Sequence, residues 1–442
     1  MLTRNSTHTT GAGRWKRGFA TLAILTGCGV LAHGQEPPRL GTLPAAAVAS
    51  TKRVYNLDEA VALALAQQPA VAAARASLAS VQTARDAAYT PLAGILGGGQ
   101  ICIRRQQADL GVAIAMASIE QAELETFAAV SRSYLSVVYA RAQLEVAEEA
   151  VSTLRRTADI ARDLVDRGSK EVTKSDLDRL ETYRLIAESK AGEARLGMTR
   201  AKAALAEAIG LDHCNDFDIG DESLAQFHDA FLEFGAQRGR KLSTRVAVET
   251  ALNQRPELRQ SSMFAQVTGL EIQAQGRTIQ PYARTFAATG DIHSKILPAT
   301  VMNGEYRPGP VGPEMPSFLA GTPGDRQQRA SHLYQRSLAV DDKAQGLVKL
   351  EVEEACARLD EQLRQIALLR QAIQQTKKQK DDAERYYRND QLKTEQLLTI
   401  QLLDSQTRAQ LNEAYFKFGQ SLGVIQRATG GNLWNCFVEQ DK

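Results

Sequence analysis

The stretch that decides the fold occurs twice in this chain. Residues 64–69 are Ala64-Leu65-Ala66-Gln67-Gln68-Pro69, and 187 positions later the chain has Ala251-Leu252-Asn253-Gln254-Arg255-Pro256. Each string continues as a helical pattern, to about Tyr89 and to about Gly276, and each pattern then meets a proline, Pro91 or Pro281. Because the same string is followed by the same order of elements, the sequence predicts two tandem copies of one unit.

The first copy continues with a heptad pattern. Apolar residues recur every seven positions, with a companion set three positions on: Val137, Leu144, Val151, Ala158 and Val165, then Ala140, Ala147, Leu154 and Ala161. The pattern breaks at Arg167-Gly168-Ser169 and returns through Leu177, Leu180, Ala187, Ala191, Ala194, Met198, Ala201, Leu205 and Ala208, with Arg184 as an interruption. A heptad seam that stops at a glycine and then resumes predicts a long antiparallel helical hairpin.

The second copy repeats this hairpin. Its outgoing seam is Val352, Leu359, Ile366 and Ile373, and the break falls around Arg388-Asn389-Asp390. The returning seam is Leu397, Leu411, Phe418 and Ile425, beside Ile400, Ala414, Ser421 and Ala428. The returning arms align at an offset of 220 positions, so the middle of the second copy is 33 residues longer.

Such arms need neighbours. An arm from about Glu120 to Gly168 is roughly 70 Å long at about 1.5 Å per residue. Apolar residues outside the seam, including Leu135, Val138, Ile160 and Leu164, require further helices to cover them. Side-by-side packing of several hairpins meets this need, and a long coiled-coil spacer is the open alternative.

The bulk composition excludes several classes of function. The 53 Lys and Arg residues nearly balance the 51 Asp and Glu residues, and only 6% of residues are aromatic, so nothing favours a nucleic-acid partner. We find no phosphate loop, dinucleotide fingerprint, Gly-x-Ser-x-Gly elbow or His-Glu-x-x-His, and the six histidines lack metal spacing. We therefore expect no catalytic residues, no cofactor and no metal.

The N-terminus has the pattern of an export signal. Arg14, Lys16 and Arg17 precede an apolar run from Gly18 to Ala32, which is too short to span a bilayer. Cleavage after Ala32-His33-Gly34 gives a signal peptide of residues 1–34. Leu25-Thr26-Gly27-Cys28 also resembles a lipobox, which gives a signal of residues 1–27 and a lipid on Cys28. Residues 35–54 are expected to form a linker.

The ordered duplicate elements resemble the TolC-like outer-membrane efflux protein family. The opening helix is similar over Leu57-Asp58-Glu59-Ala60 and Ala62-Leu63-Ala64-Leu65 with Pro69. The hairpin turn is similar over residues 175–181, and the repeat ends are similar at residues 205–210 and 421–423. The resemblance covers the chain from about Tyr55 to Gly431. It implies a homotrimer in the cell outer membrane that projects a helical tunnel into the periplasm. It also implies hairpin tips on which an adaptor protein and an inner-membrane pump dock.

One part of the family's pattern is missing. Two membrane strands need about ten residues each, and the first copy offers only Ala93 to about Gln107 between its helices. Ile101-Cys102-Ile103 is the only strand-like fragment there, and residues 281–328 of the second copy form a loop rich in proline and glycine. The predicted fold is therefore mainly α, with two tandem repeats of long antiparallel coiled-coil hairpins and a reduced or missing β-barrel part.

This organisation gives the expected domains and two hypotheses of function. Residues 55–211 and 241–431 are the helical repeats, 212–240 link them, and 432–442 are a tail. The first hypothesis is a passive efflux conduit in a tripartite export system. The second is a lipid-anchored periplasmic coiled-coil scaffold without a conducting barrel.

The residues expected to matter lie at the tips and at the repeat ends. Asp178 matches the family's acidic tip position, and the other candidates for a tip or gate are Asp176, Arg179, Lys393, Glu395 and Asp404. Cys214 and Cys436 each follow the end of a repeat, so a Cys214–Cys436 disulfide is a further prediction, since disulfides persist outside the cytosol.

Overall fold

A computed structural model describes residues 53–92, 98–211, 217–220, 222–238, 240–279, 282–286 and 316–439. The signal peptide, the lipobox at Cys28 and Cys214 lie outside the described residues. So do most of the proline- and glycine-rich loop and residues 93–97, where the reduced barrel part was predicted. Among the described residues, no helix combines the length and the apolar character needed to cross a membrane.

The described helices occur in two matching sets. The first set is α1 (Leu57–Gln67), α2 (Pro69–Tyr89), α3 (Ile101–Asp166) and α4 (Lys174–Ile209), with lengths of 11, 21, 66 and 36 residues. After α5 (Leu224–Arg238), the second set is α6 (Thr244–Gln254), α7 (Pro256–Gly276), α8 (Pro323–Arg388) and α9 (Thr394–Ala428), with lengths of 11, 21, 66 and 35 residues. The predicted mainly α fold of long antiparallel hairpins is confirmed. The matching lengths support the duplication, which stays an inference.

Short strands close each set. β1 (Arg53–Tyr55) pairs in parallel with β2 (Phe217–Ile219), and β3 (Arg240–Leu242) pairs antiparallel with β6 (Phe437–Glu439). Each pair joins the start of one helical set to the segment just after its end. β4 (Tyr282–Arg284) and β5 (Phe318–Ala320) form a third, antiparallel pair. The segment predicted as the 212–240 linker thus contains β2 and α5, and the predicted tail contains a 3₁₀ turn (Leu433–Cys436) and β6.

The prediction of a strand-like fragment at Ile101-Cys102-Ile103 is wrong. It forms the first turn of α3, directly after a 3₁₀ turn at Gly98–Gln100. Ile103 is buried and Cys102 is exposed, but three residues of alternation do not outweigh the helical packing that follows them. The outgoing arm therefore starts at Ile101 instead of about Glu120, and α3 is about 100 Å long.

The helices begin and end where the local chemistry predicts. Asn56 caps α1 in a capping box with Glu59, with the Asn56 side chain 2.7 Å from the Glu59 amide nitrogen. Pro69 and Pro256 are the first residues of α2 and α7, and the residue before each is extended, with ψ of 125°. Each extended residue therefore introduces a bend between the short helix and the longer helix that follows it.

The two bends are held by different side chains at equivalent positions. In the first set, the Gln68 amide donates to the Glu207 and Ala208 carbonyls at 2.7 Å. In the second set, Arg255 instead forms ion pairs with Glu257 and Glu351, and Glu351 also pairs with Arg427 at the end of α9. We call Arg255, Glu257, Glu351 and Arg427 the junction cluster. All four residues are less than a tenth exposed.

The predicted seams form the core. Val137, Ala158, Ala161 and Leu180 are buried in the first hairpin, as are Val352, Leu359 and Ile366 in the second. Leu135, Val138 and Leu164, which lie outside the first seam, are also buried, and they belong to clusters that include residues of α8 and α9. The second hairpin of the same chain therefore supplies neighbours that the first one needs.

Candidate functional site at the hairpin tips

The first tip is a tight turn followed by a capped helix. Gly168 has φ of 79°, which favours glycine, and the Ser169 amide donates to the Leu164 carbonyl at 2.9 Å. Thr173 then caps α4 in a capping box with Asp176. Asp176, a predicted gate residue, is thus engaged in starting α4, where an acidic side chain is favourable.

The second tip turns without glycine. Asp390 has φ of 57°, a conformation that only a few residue types other than glycine tolerate. The Ser169 hydroxyl donates to the Asp390 carboxylate at 2.5 Å, so a hydrogen bond joins the two tips. Both residues fall in the chain breaks that the sequence indicates, although the sequence does not show that they pair. Because aspartate tolerates a left-handed backbone, Asp390 could have been identified as the turn residue of the second tip.

Beneath the tips lies a small apolar core that both hairpins build. Val172 and Leu180 of the first hairpin pack in one cluster with Tyr387 and Leu397 of the second. The Tyr387 hydroxyl lies 3.1 Å from the Thr394 hydroxyl, and burial raises the pKa of Tyr387. The tips are therefore packed against each other as well as hydrogen-bonded.

A groove of about 490 Å³ opens beside this core. It is lined by residues of α3, α4 and α9, together with Lys380 of α8. Its wall carries apolar side chains that a soluble surface seldom leaves open: Tyr183, Ile186 and Leu402 are 47%, 51% and 57% exposed. The charged side chains along it are Arg179, Lys190, Lys380 and Glu395.

Besides Asp176, which caps α4 with Thr173, the predicted tip residues divide into three groups. Arg179 and Glu395 line the groove, and Leu398, which the repeat offset aligns with Asp178, lines it too. Asp178 and Lys393 are exposed. Asp404 lies about 15 Å along α9 from its start, and only 2% of its side chain is exposed, so the structure places it away from the tip.

Asp404 instead belongs to a cluster of four charges between the hairpins. Its carboxylate lies 3.1 Å from Lys380 Nζ and 3.4 Å from Arg408 Nε, and it accepts from the Thr376 hydroxyl at 3.3 Å. Glu149 of α3 pairs with the same two cations, with Arg408 and, at 3.5 Å, with Lys380. We call Glu149, Lys380, Asp404 and Arg408 the hairpin cluster.

Other contacts continue this join along α3 and α9. Closer to the tip, the Gln401 amide donates to the Thr157 hydroxyl at 3.0 Å. Farther from the tip, the Gln143 amide donates to the Ala409 carbonyl at 3.0 Å, and the rings of Tyr139 and Phe416 stack with centroids 4.6 Å apart. The hairpins thus contact each other through polar groups at intervals, through the apolar core beneath the tips, and through aromatic stacking at the far end.

The described residues show no group of His, Cys, Asp and Glu side chains that could hold a metal ion. The described cysteines Cys102, Cys356 and Cys436 are free thiols. Burial raises the pKa of the Cys356 thiol to about 11 and also raises that of Cys436. Since Cys214 lies outside the described residues, the Cys214–Cys436 disulfide stays a prediction.

Comparison with known proteins identifies the architecture. No protein-family model matches the chain, and no curated protein sequence matches it. Among solved structures, the chain is similar to the outer membrane protein VceC from Vibrio cholerae, with 13% identity, a TM-score of 0.62, and coverage of 85% of this chain and 96% of that one.

Two outer-membrane channels give similar values. The Campylobacter jejuni CmeC channel has 13% identity and a TM-score of 0.62, with 87% of each chain covered. The open state of the Neisseria gonorrhoeae MtrE channel has 14% identity and a TM-score of 0.61, with 85% of this chain and 89% of that one covered. At such identities the likeness concerns the fold, and this chain has the TolC-like fold of these outer-membrane channel proteins.

Proposed function

We propose that this protein is the channel component of a tripartite export system, a passive conduit from the periplasm through the outer membrane. The observation that carries the proposal is the pair of hairpins built on 66-residue helices, packed side by side in the fold that outer-membrane channels share. In this proposal the protein catalyses no reaction, and transport needs no cofactor, metal or catalytic residue.

The proposal includes a homotrimer. Leu185, Leu196 and Leu368 are 55%, 50% and 65% exposed on the described chain, along hairpins whose inner seams are already filled. Exposed apolar side chains along a long rod favour association with further rods. Three copies would place six hairpins around one bore.

The groove supports the proposed partner. Its apolar wall, with Tyr183, Ile186 and Leu402, suits the apolar face of a helical segment. Its lining carries three cationic side chains and one acidic one, so a partner helix with acidic residues would complement it. We propose that a periplasmic adaptor protein docks in this groove and that an inner-membrane pump joins the assembly through the adaptor.

A lipid-anchored periplasmic scaffold is the alternative. The observation that favours it is the short connection between the first long helices, because α2 ends at Tyr89 and α3 begins at Ile101. Two membrane strands with a turn need about 20 residues, which this connection does not offer. A scaffold of this kind would use the lipid on Cys28 as its anchor.

Conductance of the purified mature protein in planar bilayers separates the two functions. The conduit predicts discrete conductance steps, and Asp178→Ala is expected to change their size if the exposed Asp178 lines the proposed constriction at the tip. Absence of any step with trimeric protein would refute the conduit and favour the scaffold. Unchanged conductance in Asp178→Ala would remove only the role of Asp178.

A separate variant tests whether the adaptor docks in the groove. Ile186→Glu places a charge in the groove and is expected to abolish cross-linking to the adaptor while leaving conductance unchanged. Leu232→Glu, on α5 and outside the groove lining, is the matched exposed substitution. Equal loss of cross-linking in both variants would contradict docking in the groove.

A further inference from the structure

A cavity of about 640 Å³ lies beside the bend between α6 and α7. Leu252 lines it from the end of α6, and Leu258 lines it from the start of α7. Further side chains of α3, α7 and α8 complete its wall, and its lining residues differ from those of the groove near the tips. Small-molecule sites commonly have volumes of about 300–1,000 Å³, so this cavity is large enough to hold a ligand.

The charges on the cavity wall leave one carboxylate without a cationic partner. The charged lining residues are Glu120, Arg259 and Asp341, and Arg259 pairs with Glu120. Asp341 accepts hydrogen bonds from the Ser261 hydroxyl and from the Gln345 amide, the latter at 2.9 Å. Both donors are neutral, and no cation of the described chain pairs with Asp341. The wall therefore carries one uncompensated negative charge.

The apolar part of the wall contains two methionines. Met116 of α3 and Met263 of α7 line the cavity beside Leu252 and Leu258, and Met116 is 53% exposed. The unbranched methionine side chain adapts to ligands of different shape, and its sulfur makes favourable contacts with aromatic rings. This part of the wall therefore suits an apolar or aromatic body, while Asp341 suits a positive charge.

We propose that the cavity binds an organic cation with an aromatic body, of the phosphonium or quaternary ammonium class. The body packs against Met116 and Met263, and the charge lies beside the Asp341 carboxylate. A cation without N–H groups fits this carboxylate because both of its oxygens already accept hydrogen bonds. The attraction is stronger in a partly enclosed cavity than in open water, since the surroundings screen it less. The site belongs to a single chain and does not rest on the proposed conduit.

Isothermal titration calorimetry of the purified full-length mature protein tests the site. The probe is methyltriphenylphosphonium, and triphenylphosphine oxide is its neutral counterpart of similar shape. We expect the cation to bind about tenfold more tightly than the neutral compound, equivalent to about 1.4 kcal/mol. Asp341→Asn should remove this preference by weakening only the binding of the cation. Raising the salt from about 0.1 M to about 1 M should also weaken the binding of the cation more than that of the neutral compound.

Two further variants show whether the binding occurs in this cavity. Asp342→Asn removes the exposed carboxylate next to Asp341 and is expected to leave both affinities unchanged. Ser262→Trp places a large ring in the cavity from an exposed position of its wall and should abolish binding of both compounds.

Three results would overturn the proposal. They are equal binding of the cation and the neutral compound, a loss of cation binding in Asp342→Asn as large as that in Asp341→Asn, and unchanged binding in Ser262→Trp. Conductance is measured separately, so failure of the cation site leaves the proposed conduit standing, and failure of the conduit leaves the cation site standing.

Discussion

The junction cluster and the hairpin cluster share one plan and differ in one member. Each centres on a carboxylate that is almost fully buried between two cations: Glu351 in the first cluster and Asp404 in the second. The junction cluster is completed by Glu257, which is buried, whereas the hairpin cluster is completed by Glu149, which is 40% exposed. The clusters therefore differ in the exposure of the completing carboxylate, and removal of a buried member should cost more stability than removal of an exposed one.

The largest effect is expected in the junction cluster. Glu351→Gln leaves Arg255 and Arg427 without the carboxylate they share, and loss of one partner from a buried ion pair costs about 3–5 kcal/mol. Chemical denaturation should show this loss in the free energy of unfolding. Glu354→Gln is the matched control, since Glu354 is exposed and pairs with Arg358 one turn away, and it is expected to cost less than about 0.5 kcal/mol. Equal losses of unfolding free energy in the two variants would contradict the claim that the junction cluster is a buried, stabilising contact.

A smaller effect should distinguish the ends of the two returning arms. Gly210 and Gly430 occupy equivalent positions with φ of 84° and 62°. A Cβ added at Gly210 would meet only atoms of Gln67 at 3.7 Å, whereas at Gly430 it would meet Gln254 Cβ at 3.1 Å and its carbonyl oxygen at 3.2 Å. We expect Gly210→Ala to cost about 1 kcal/mol and Gly430→Ala about 2 kcal/mol.

Thermal denaturation measures both changes. Gly192→Ala is the control, because Gly192 lies within α4 with open space around it, and alanine should stabilise that helix by about 0.5–1 kcal/mol. A Gly210→Ala cost larger than that of Gly430→Ala would show that the crowding around the two arm ends has been assigned the wrong way round.

The third prediction concerns acid stability at α5. His228 is 3% exposed, its Nδ1 lies 2.8 Å from Asp229 Oδ1, and Arg370 Nη2 lies 3.4 Å from the same nitrogen. Burial lowers the pKa of His228, with the Asp229 carboxylate opposing this and Arg370 adding to it. The folded state therefore favours neutral His228, and this contribution to stability is present above about pH 6.5 and is lost as the pH falls below it.

Thermal unfolding at about pH 7.5 and about pH 5 checks this dependence. His228→Phe, which keeps a ring against Tyr415 and Phe418, should lose less stability on acidification than the unchanged protein. Asp229 also has a lowered pKa, through its hydrogen bond to His228 and, to a smaller extent, through Arg370. His228→Phe leaves the Arg370 contribution in place, so part of the loss at lower pH remains. His332→Phe, at an exposed position, is the control; a pH dependence retained in full by His228→Phe would exclude His228 as the cause.

Much of the fold follows from the sequence because it depends on periodicity. Seven-residue spacing predicted both hairpins, and the break at Gly168 marked the end of the first outgoing arm. Ile101-Cys102-Ile103 could not be assigned in this way, because a short apolar run fits a strand and a buried helix turn equally. Helix α5 was missed inside a segment read as a linker, since its docking through His228 and Phe231 depends on α9, which is far away in the chain.

The site was less predictable for the same reason. Arg179 and Glu395 line the groove. Their short distance in sequence from the chain breaks was enough to predict that they lie near the tips. Asp404 was expected near the tip, but its partners on α8 and α3 hold it in the buried hairpin cluster. The sequence does not single out Glu149, because nothing local distinguishes it from Glu148. Glu149 pairs with Lys380 and Arg408, which are more than 200 positions away in the chain, and a single sequence does not display that pairing.

Electron cryo-microscopy of the purified full-length mature protein tests the central claim most directly. The account predicts three copies whose six hairpins stand side by side around a continuous bore, with the grooves near the tips open to the outside. A single copy, or an assembly in which the hairpins enclose no bore, would contradict the claim that this chain forms a conduit.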